Sequence, residues 1–157
     1  MTAAVLSPEA LAAVCASPVW QREILATLPY GSLGELIARS NSVIAGLHWS
    51  DVEDALATHA RIGERAAGDS REMVWSRQEQ SAAEQRSAQT TSALYEANVS
   101  YENRFGHIFL ICATGRTAEE ILSEVHARLG NDDATEQLVV RDELAAIVRL
   151  RLGRLWS

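Results

Sequence analysis

Signals for the start of an α-helix recur along this chain and constrain its fold more than any other feature. Two Ser-Pro pairs each offer an N-cap serine followed by a proline at the first helical position. Four further segments carry the S/T-x-x-E capping box, in which the first residue caps the helix and the Glu binds back to it. One box arises easily by chance, but four boxes, each before a suitable run, predict a helical protein. The starts are Ser7-Pro8, Ser17-Pro18, Ser32 to Glu35, Ser50 to Glu53, Ser76 to Glu79 and Thr117 to Glu120.

The stretches between these starts show helical spacing of apolar residues. Residues 117–129 predict a helix that ends before Gly130, and residues 136–155 predict a long amphipathic helix. Residues 76 to about 102 are polar and also predict one long helix. The apolar residues 107–113 have no second strand to pair with, so we expect a buried extended connector or a short helix. We therefore predict an all-α fold, a single compact domain of seven or eight helices spanning residues 1–157.

Composition excludes several classes of function. The formal net charge of −7 argues against nucleic-acid binding, which depends on basic patches. All fourteen basic residues are Arg, which excludes lysine Schiff-base chemistry. The His and Cys residues lack metal-ligand spacing, and no phosphate-binding glycine motif is present. We expect no secretory signal, no apolar run of the ~18 residues that span a membrane, and a cytoplasmic protein.

Several short segments, in this order and at these spacings, resemble motifs of the 2-oxo-4-hydroxy-4-carboxy-5-ureidoimidazoline (OHCU) decarboxylases. THARIG at residues 58–63 resembles the family's HPRIG motif, and SRQEQ at residues 76–80 resembles its S-x-x-E-Q motif. Glu79 follows His59 by 20 residues, which fits the family pattern. The resemblance covers roughly residues 17–155. Its later parts are Tyr95-Glu96-Ala97-Asn98, Tyr101, Arg104-Phe105-Gly106 and the terminal Arg151-Leu152.

The resemblance implies an enzyme, a carboxy-lyase of urate degradation that makes (S)-allantoin and CO2 from OHCU. It implies no cofactor, because loss of CO2 beside a ring carbonyl leaves the electron pair in the substrate as an enolate. The implied partner is the small ureidoimidazoline substrate, with no nucleic acid and no membrane, and the family suggests a homodimer.

The resemblance assigns proton transfer to His59, assisted by Glu79, because a histidine exchanges protons near neutral pH. Ser76 and Gln80 would bind the substrate. Each residue also has a structural interpretation. His59 could interact with the C-terminal dipole of the preceding helix. Ser76 and Glu79 could form a helix cap, and Gln80 could be a solvated helix residue.

The same resemblance adds a wall of residues 105–108 and a guanidinium clamp. Phe105, Gly106, His107 and Ile108 would supply backbone amides and apolar surface, although a histidine in this position is more typical of a surface or core residue. Arg151 would hold the substrate, since guanidinium binds a carboxylate through two parallel hydrogen bonds. Its structural alternative is a solvated or salt-bridged helix face.

Arg61 is a second candidate for the clamp. Its offset of two residues from His59 would point it elsewhere on a helix.

Two departures from the family pattern motivate alternative functions. Ala60 stands where the family usually has proline, and His107-Ile108 stands where an aromatic residue and a proline are common. The alternatives are a catalytically altered member that acts on another ureide and a helical binding protein.

Overall fold

The computed structural model describes residues 6–63, 71–84 and 87–156, and all of its regular elements are helical. The described residues form eight α-helices and one 3-10 helix, which confirms the predicted all-α fold. Helices α1 to α5 come before the 3-10 helix in the chain, and helices α6 to α8 come after it. The bounds are α1 Pro8–Val14, α2 Pro18–Ala26, α3 Leu33–Gly46, α4 Trp49–Leu56, α5 Arg71–Glu79, the 3-10 helix Ser81–Glu84, α6 Ala88–Phe105, α7 Ala118–Arg128 and α8 Asp133–Trp156.

The chain divides into two compact units. The first comprises residues 1–58 and 141–157 and contains α1 to α4 with the greater part of α8. Inside it, the buried Trp20 of α2 donates from Nε1 to Ser40 Oγ of α3 over 3.0 Å. The bond satisfies the indole N–H, which is the only polar group of this buried and otherwise apolar side chain.

The second unit comprises residues 59–140 and contains α5, the 3-10 helix, α6, α7 and the first residues of α8. Its core lies between α6, α7 and residues 107–113. These last residues form neither helix nor strand, and most are buried, which confirms the expected buried extended connector. The core includes Leu94, Tyr101, Phe109, Ile111, Ile121 and Val125.

Three of the predicted helix starts occur as expected, and a fourth occurs in part. Ser7 and Ser17 cap α1 and α2, each followed by its proline. Thr117 forms the complete capping box with Glu120. Ser32 caps α3, but the Glu35 carboxylate accepts from the N–H of Gly31 instead of that of Ser32.

The prediction that Ser50 caps a helix is wrong. Helix α4 begins at Trp49, and His48 occupies the N-cap position without a side-chain hydrogen bond. The carbonyl of His48 accepts the first two helical hydrogen bonds, from Asp51 and Val52. Ser50 therefore already lies within the first turn.

The predicted long helix from Ser76 to about Glu102 is also wrong, as is the capping box at its start. Ser76 lies inside α5, which begins at Arg71. The 3-10 helix follows α5. Helix α6 then has its N-cap at Ser87, whose Oγ accepts from the N–H of Thr90 over 3.1 Å. A new cap at Ser87 begins α6, because its side chain replaces the missing helical acceptor. No helix within the described residues is long and apolar enough to cross a membrane.

Candidate functional site

His59 lies just after a helix, in a short non-helical segment that we call the His59 loop, residues 59–63. Helix α4 ends at Leu56, and the loop has no regular structure. His59 is half-buried. Gly63 has a φ of 94°, a conformation that side-chain-bearing residues rarely adopt, so this position of the backbone favours glycine.

Helix α6 holds this loop through two side chains one turn apart. Asn98 is buried, and its Nδ2 donates to the carbonyl of Ile62 over 2.7 Å. Glu102 accepts from Arg61 in a bidentate pair, with 2.9 Å from Nε to Oε2 and 2.9 Å from Nη2 to Oε1. The argument that Arg61 points away on a helix is wrong, because the loop is not helical. Its guanidinium instead binds a residue of α6.

The end of α5 binds the same loop. Gln80 follows the last residue of α5, and its Oε1 accepts from the N–H of Gly63 over 3.2 Å. Ser76 and Glu79 are buried, and Gln80 is half-buried. These residues are spaced i, i+3 and i+4, which places them on one side of a helix. The structure thus joins the two motifs that lie 20 residues apart in sequence.

Glu79 is not the third residue of a helix cap. Helix α5 starts five residues before Ser76, so neither Ser76 nor Glu79 belongs to a helix start. The structural interpretation of these two side chains as a capping box therefore fails. A buried hydroxyl and a buried carboxylate therefore lie about one turn apart within α5.

Residues 105–108 lie at the C-terminal end of α6. Gly106 caps the helix in the left-handed conformation with φ of 81°, and its N–H donates to Glu102 O over 2.8 Å. That amide is engaged in the cap, so a backbone donor to developing negative charge would have to follow Gly106. His107 is half-buried, and its Nδ1 lies 3.0 Å from Ile108 O, to which it donates in the Nδ1–H tautomer. Its ring meets Tyr101 edge to face at 5.6 Å.

Arg151 belongs to the first unit, whereas the other candidate residues belong to the second. It is fully buried, and its Nη1 donates to Val14 O over 3.3 Å. The alternative of a solvated helix face is therefore wrong for this residue. A guanidinium removed from water needs acceptors around it, and a backbone carbonyl supplies one of them.

A cavity of about 480 Å³ adjoins the His59 loop on the side of α6. Residues of the loop and of α6 line it, including Arg61, Gly63, Tyr95, Asn98 and Glu102. Of the residues predicted to bind or convert the substrate, only Arg61, the second candidate for the clamp, is among the described residues that line this cavity. Asn98 and Glu102, which line the cavity and bind the His59 loop, were not among the site residues predicted from sequence. The Tyr95-Glu96-Ala97-Asn98 motif contained the signal for Asn98, since a polar residue there matches the resemblance.

Three further buried polar residues are far apart in sequence, and of these only Tyr101 stood in one of the motifs that carry the resemblance. Tyr101 of α6, Arg128 of α7 and Glu136 of α8 are together in the second unit. Burial, together with the hydrogen bond to Glu136, raises the pKa of Tyr101 above its usual range, so its hydroxyl stays protonated and donates.

Comparison with known families decides the classification. The model of the OHCU decarboxylase family matches residues 6–153. The chain belongs to this family. Two curated relatives match shorter segments. The uric acid degradation bifunctional protein TTL of Arabidopsis thaliana is 39% identical over 71 residues, which are 45% of this chain and 22% of that protein. The 2-oxo-4-hydroxy-4-carboxy-5-ureidoimidazoline decarboxylase of Amia calva is 44% identical over 55 residues, 35% of this chain and 31% of that protein.

Solved structures share the fold over most of this chain. A crystal structure of OHCU decarboxylase in the presence of (S)-allantoin superposes with a TM-score of 0.82 at 27% identity, covering 94% of this chain and 97% of that chain. A crystal structure of (S)-allantoin synthase has a TM-score of 0.68 at 14% identity, covering 94% of this chain and 49% of that one. The second likeness concerns the fold alone. The matched segments span less than a third of the curated relatives' lengths.

Proposed function

We propose that this chain decarboxylates OHCU to (S)-allantoin and CO2 in urate degradation, without a cofactor. The observation that carries this proposal is the family match over residues 6–153. The match runs through both compact units, so we also propose that residues 1–157 act as one domain. The structural neighbour crystallised in the presence of (S)-allantoin supports the product.

In the proposed reaction, the protein supplies groups that donate and accept a proton. The substrate itself takes up the electron pair that is released when CO2 leaves. The bond between the carboxylate and the hydroxyl-bearing ring carbon breaks, CO2 leaves, and the electron pair enters the adjacent ring C=N bond, which takes the place of the carbonyl expected above. The hydroxyl proton passes to the ring nitrogen as the new carbonyl forms. His59 delivers a proton to one face of the carbon that bears the ureido group, and Glu79 orients His59 or relays the proton. The bond between Gly63 and Gln80 supports this pairing, because it joins the His59 loop to the end of α5.

Substrate binding is proposed for the remaining residues. Ser76 and Gln80 would hydrogen-bond the ureido group and ring, and Phe105, Gly106, His107 and Ile108 would form the wall. Arg151 would bind the carboxylate or a carbonyl, as a buried guanidinium can do through two parallel bonds. Negative charge that develops on the ring would be stabilised by such fixed donors.

A coupled assay tests the activity. Urate oxidase and hydroxyisourate hydrolase generate the unstable precursor in place, and circular dichroism follows the optically active allantoin. We expect single-handed product to form faster than in the same mixture without this protein, with no metal or cofactor added. A rate equal to spontaneous decay from folded protein would contradict the proposal. Tight binding of allantoin without turnover would then favour a binding protein, and turnover of a different ureide would favour an altered enzyme.

We further propose a homodimer. Exposed leucines support apolar contact with a second copy: Leu138 of α8 exposes 64% of its surface, and Leu150 of the same helix exposes 37%. Multi-angle light scattering should give twice the mass of one chain at micromolar concentration. A mass of one chain at all concentrations would contradict it.

A further inference from the structure

Beneath residues 105–110 lies a buried polar network formed by three helices. Glu136 of α8 is fully buried and accepts from Arg128 of α7, with 2.9 Å from Nε to Oε2. It also accepts from the hydroxyl of Tyr101 on α6 and, over 3.1 Å, from Asn131 Nδ2. Arg128 exposes 2% of its surface and Tyr101 none. We call Tyr101, Arg128 and Glu136 the buried triad.

Such a triad is a poor way to gain stability. Removing two charges from water is unfavourable for each ion, and their mutual attraction offsets this only when the geometry is good. Apolar residues of similar volume often serve equally well or better. The choice of a charged pair at the centre of this core therefore suggests a role in fixing geometry.

The triad contacts residues 105–110, and this segment includes the proposed substrate-binding wall at residues 105–108. Arg128 Nη1 donates to the carbonyl of Leu110 over 2.7 Å, and its guanidinium stacks 4.4 Å from the Phe109 ring. The Tyr101 ring lies 4.7 Å from Phe105 and 5.6 Å from His107. The triad thus contacts the segment at two places. The Tyr101 ring contacts Phe105 and His107, and Arg128 contacts Phe109 and Leu110.

We propose that the buried triad positions residues 105–108, and His107 in particular, for the decarboxylation. Tyr101, Arg128 and Glu136 are positioning residues, which act through the Phe105 and His107 rings and the Leu110 carbonyl. This inference rests on the proposed function. It adds residues to the site that do not touch the substrate but set the orientation of one of its walls.

The test compares two ways of removing the triad. Tyr101→Phe deletes one hydroxyl and leaves the Arg128–Glu136 pair intact. The triple variant Tyr101→Phe, Arg128→Met, Glu136→Leu removes all charge at once, so no unpaired charge is left buried. We expect the triple variant to fold with a melting temperature near that of the wild type. Because misplacement of a group by about 1 Å can cost about 100-fold in rate, we expect kcat to fall about 10- to 100-fold and the enantiomeric excess of allantoin to drop.

A matched control breaks a different contact between α6 and α8, the helices that the Tyr101–Glu136 hydrogen bond also joins. Arg104 of α6 pairs with Asp133 of α8 at the surface, with side chains 43% and 73% exposed. Asp133→Asn removes that pair and should leave kcat, KM and the enantiomeric excess unchanged. A loss in the triple variant but not in Asp133→Asn assigns the effect to the buried triad.

Amide hydrogen exchange over residues 105–110 gives a readout that does not depend on activity. We expect faster exchange there in Tyr101→Phe and in the triple variant. Unchanged exchange, or faster exchange with wild-type kcat and enantiomeric excess, would overturn the positioning role. An inactive wild type would instead contradict the proposed function, and exchange would still show whether the triad orders the segment.

Discussion

At the scale of single residues, two contacts between α6 and the His59 loop differ in strength. Asn98 exposes 6% of its surface and satisfies the carbonyl of Ile62. Arg61 and Glu102 form an ion pair with side chains 48% and 25% exposed. Exposed ion pairs contribute little, since water and salt screen them. A hydrogen bond to a buried carbonyl matters more, because the carbonyl has no water to replace the lost donor.

The Asn98 contact should therefore dominate the stability of this junction. Asn98→Ala is expected to lower the free energy of unfolding by about 1–3 kcal/mol, the cost of leaving a buried polar group unsatisfied. Asn103→Ala, an exposed position on the same helix, should change it by less than about 0.5 kcal/mol. Urea denaturation of both variants measures the difference. Equal stabilities would show that Asn98 does not hold the loop.

The candidate site residues were proposed from sequence, but the contacts that they make were not predictable. The motif around His59 and the motif around Glu79 stood out by residue type and spacing, and the Gly63–Gln80 bond joins them. The partner of Arg61 lies 41 residues away, on a helix whose position depends on the tertiary fold. The argument about Arg61 failed because it assumed local helix, and only the packed structure shows that residues 59–63 leave the helical path.

At the scale of helices, an S/T-x-x-E pattern predicted a start only where the preceding residues are not helical. Thr117 follows a turn and forms both bonds of the capping box. Ser76 follows five helical residues, so the same pattern lies within a turn of α5. Local sequence shows which side chains can cap a helix, but it does not show whether the helix has already begun at an earlier residue. This is why the class of fold was predictable and several helix boundaries were not.

The capping box of α7 should respond to pH. The backbone N–H and side chain of Thr117 hydrogen-bond the Glu120 carboxylate and lower its pKa below the ordinary value of 4.5. Because the folded-state pKa is lowered, ionised Glu120 stabilises the fold above its unfolded-state pKa, and this contribution is lost as pH falls through the folded-state pKa.

Thr117→Ala should raise the pKa of Glu120 toward its ordinary value. Separately, loss of the N-cap hydrogen bond from Thr117 to the N–H of Glu120 should reduce stability by about 0.5–2 kcal/mol. Carbon-detected NMR titration of the Glu120 carboxyl measures the first effect, and thermal unfolding measures the second. Thr117→Ser keeps the capping oxygen and serves as the control. If alanine and serine gave the same pKa, the side chain of Thr117 would have no part in it.

At the scale of the whole molecule, the assignment to the family rests on how much of the chain the family model matches. The family model covers residues 6–153, and the 27%-identical crystal structure covers 94% of this chain. The all-α class was predictable, because capping signals and apolar spacing are local. The burial of Arg151 in the first unit, and of Glu136 beneath residues 105–110, was not, since both depend on which helices pack together.

The most direct test of the account is the rate of (S)-allantoin formation by His59→Gln in the coupled assay. Glutamine keeps a polar side chain but cannot donate and recover a proton at neutral pH, and general acid–base groups contribute about 100- to 10,000-fold. His126→Gln alters an exposed histidine of α7 and should keep the wild-type rate. The account predicts that His59→Gln falls by at least about 100-fold while remaining folded. A folded His59→Gln protein with a wild-type rate would contradict it.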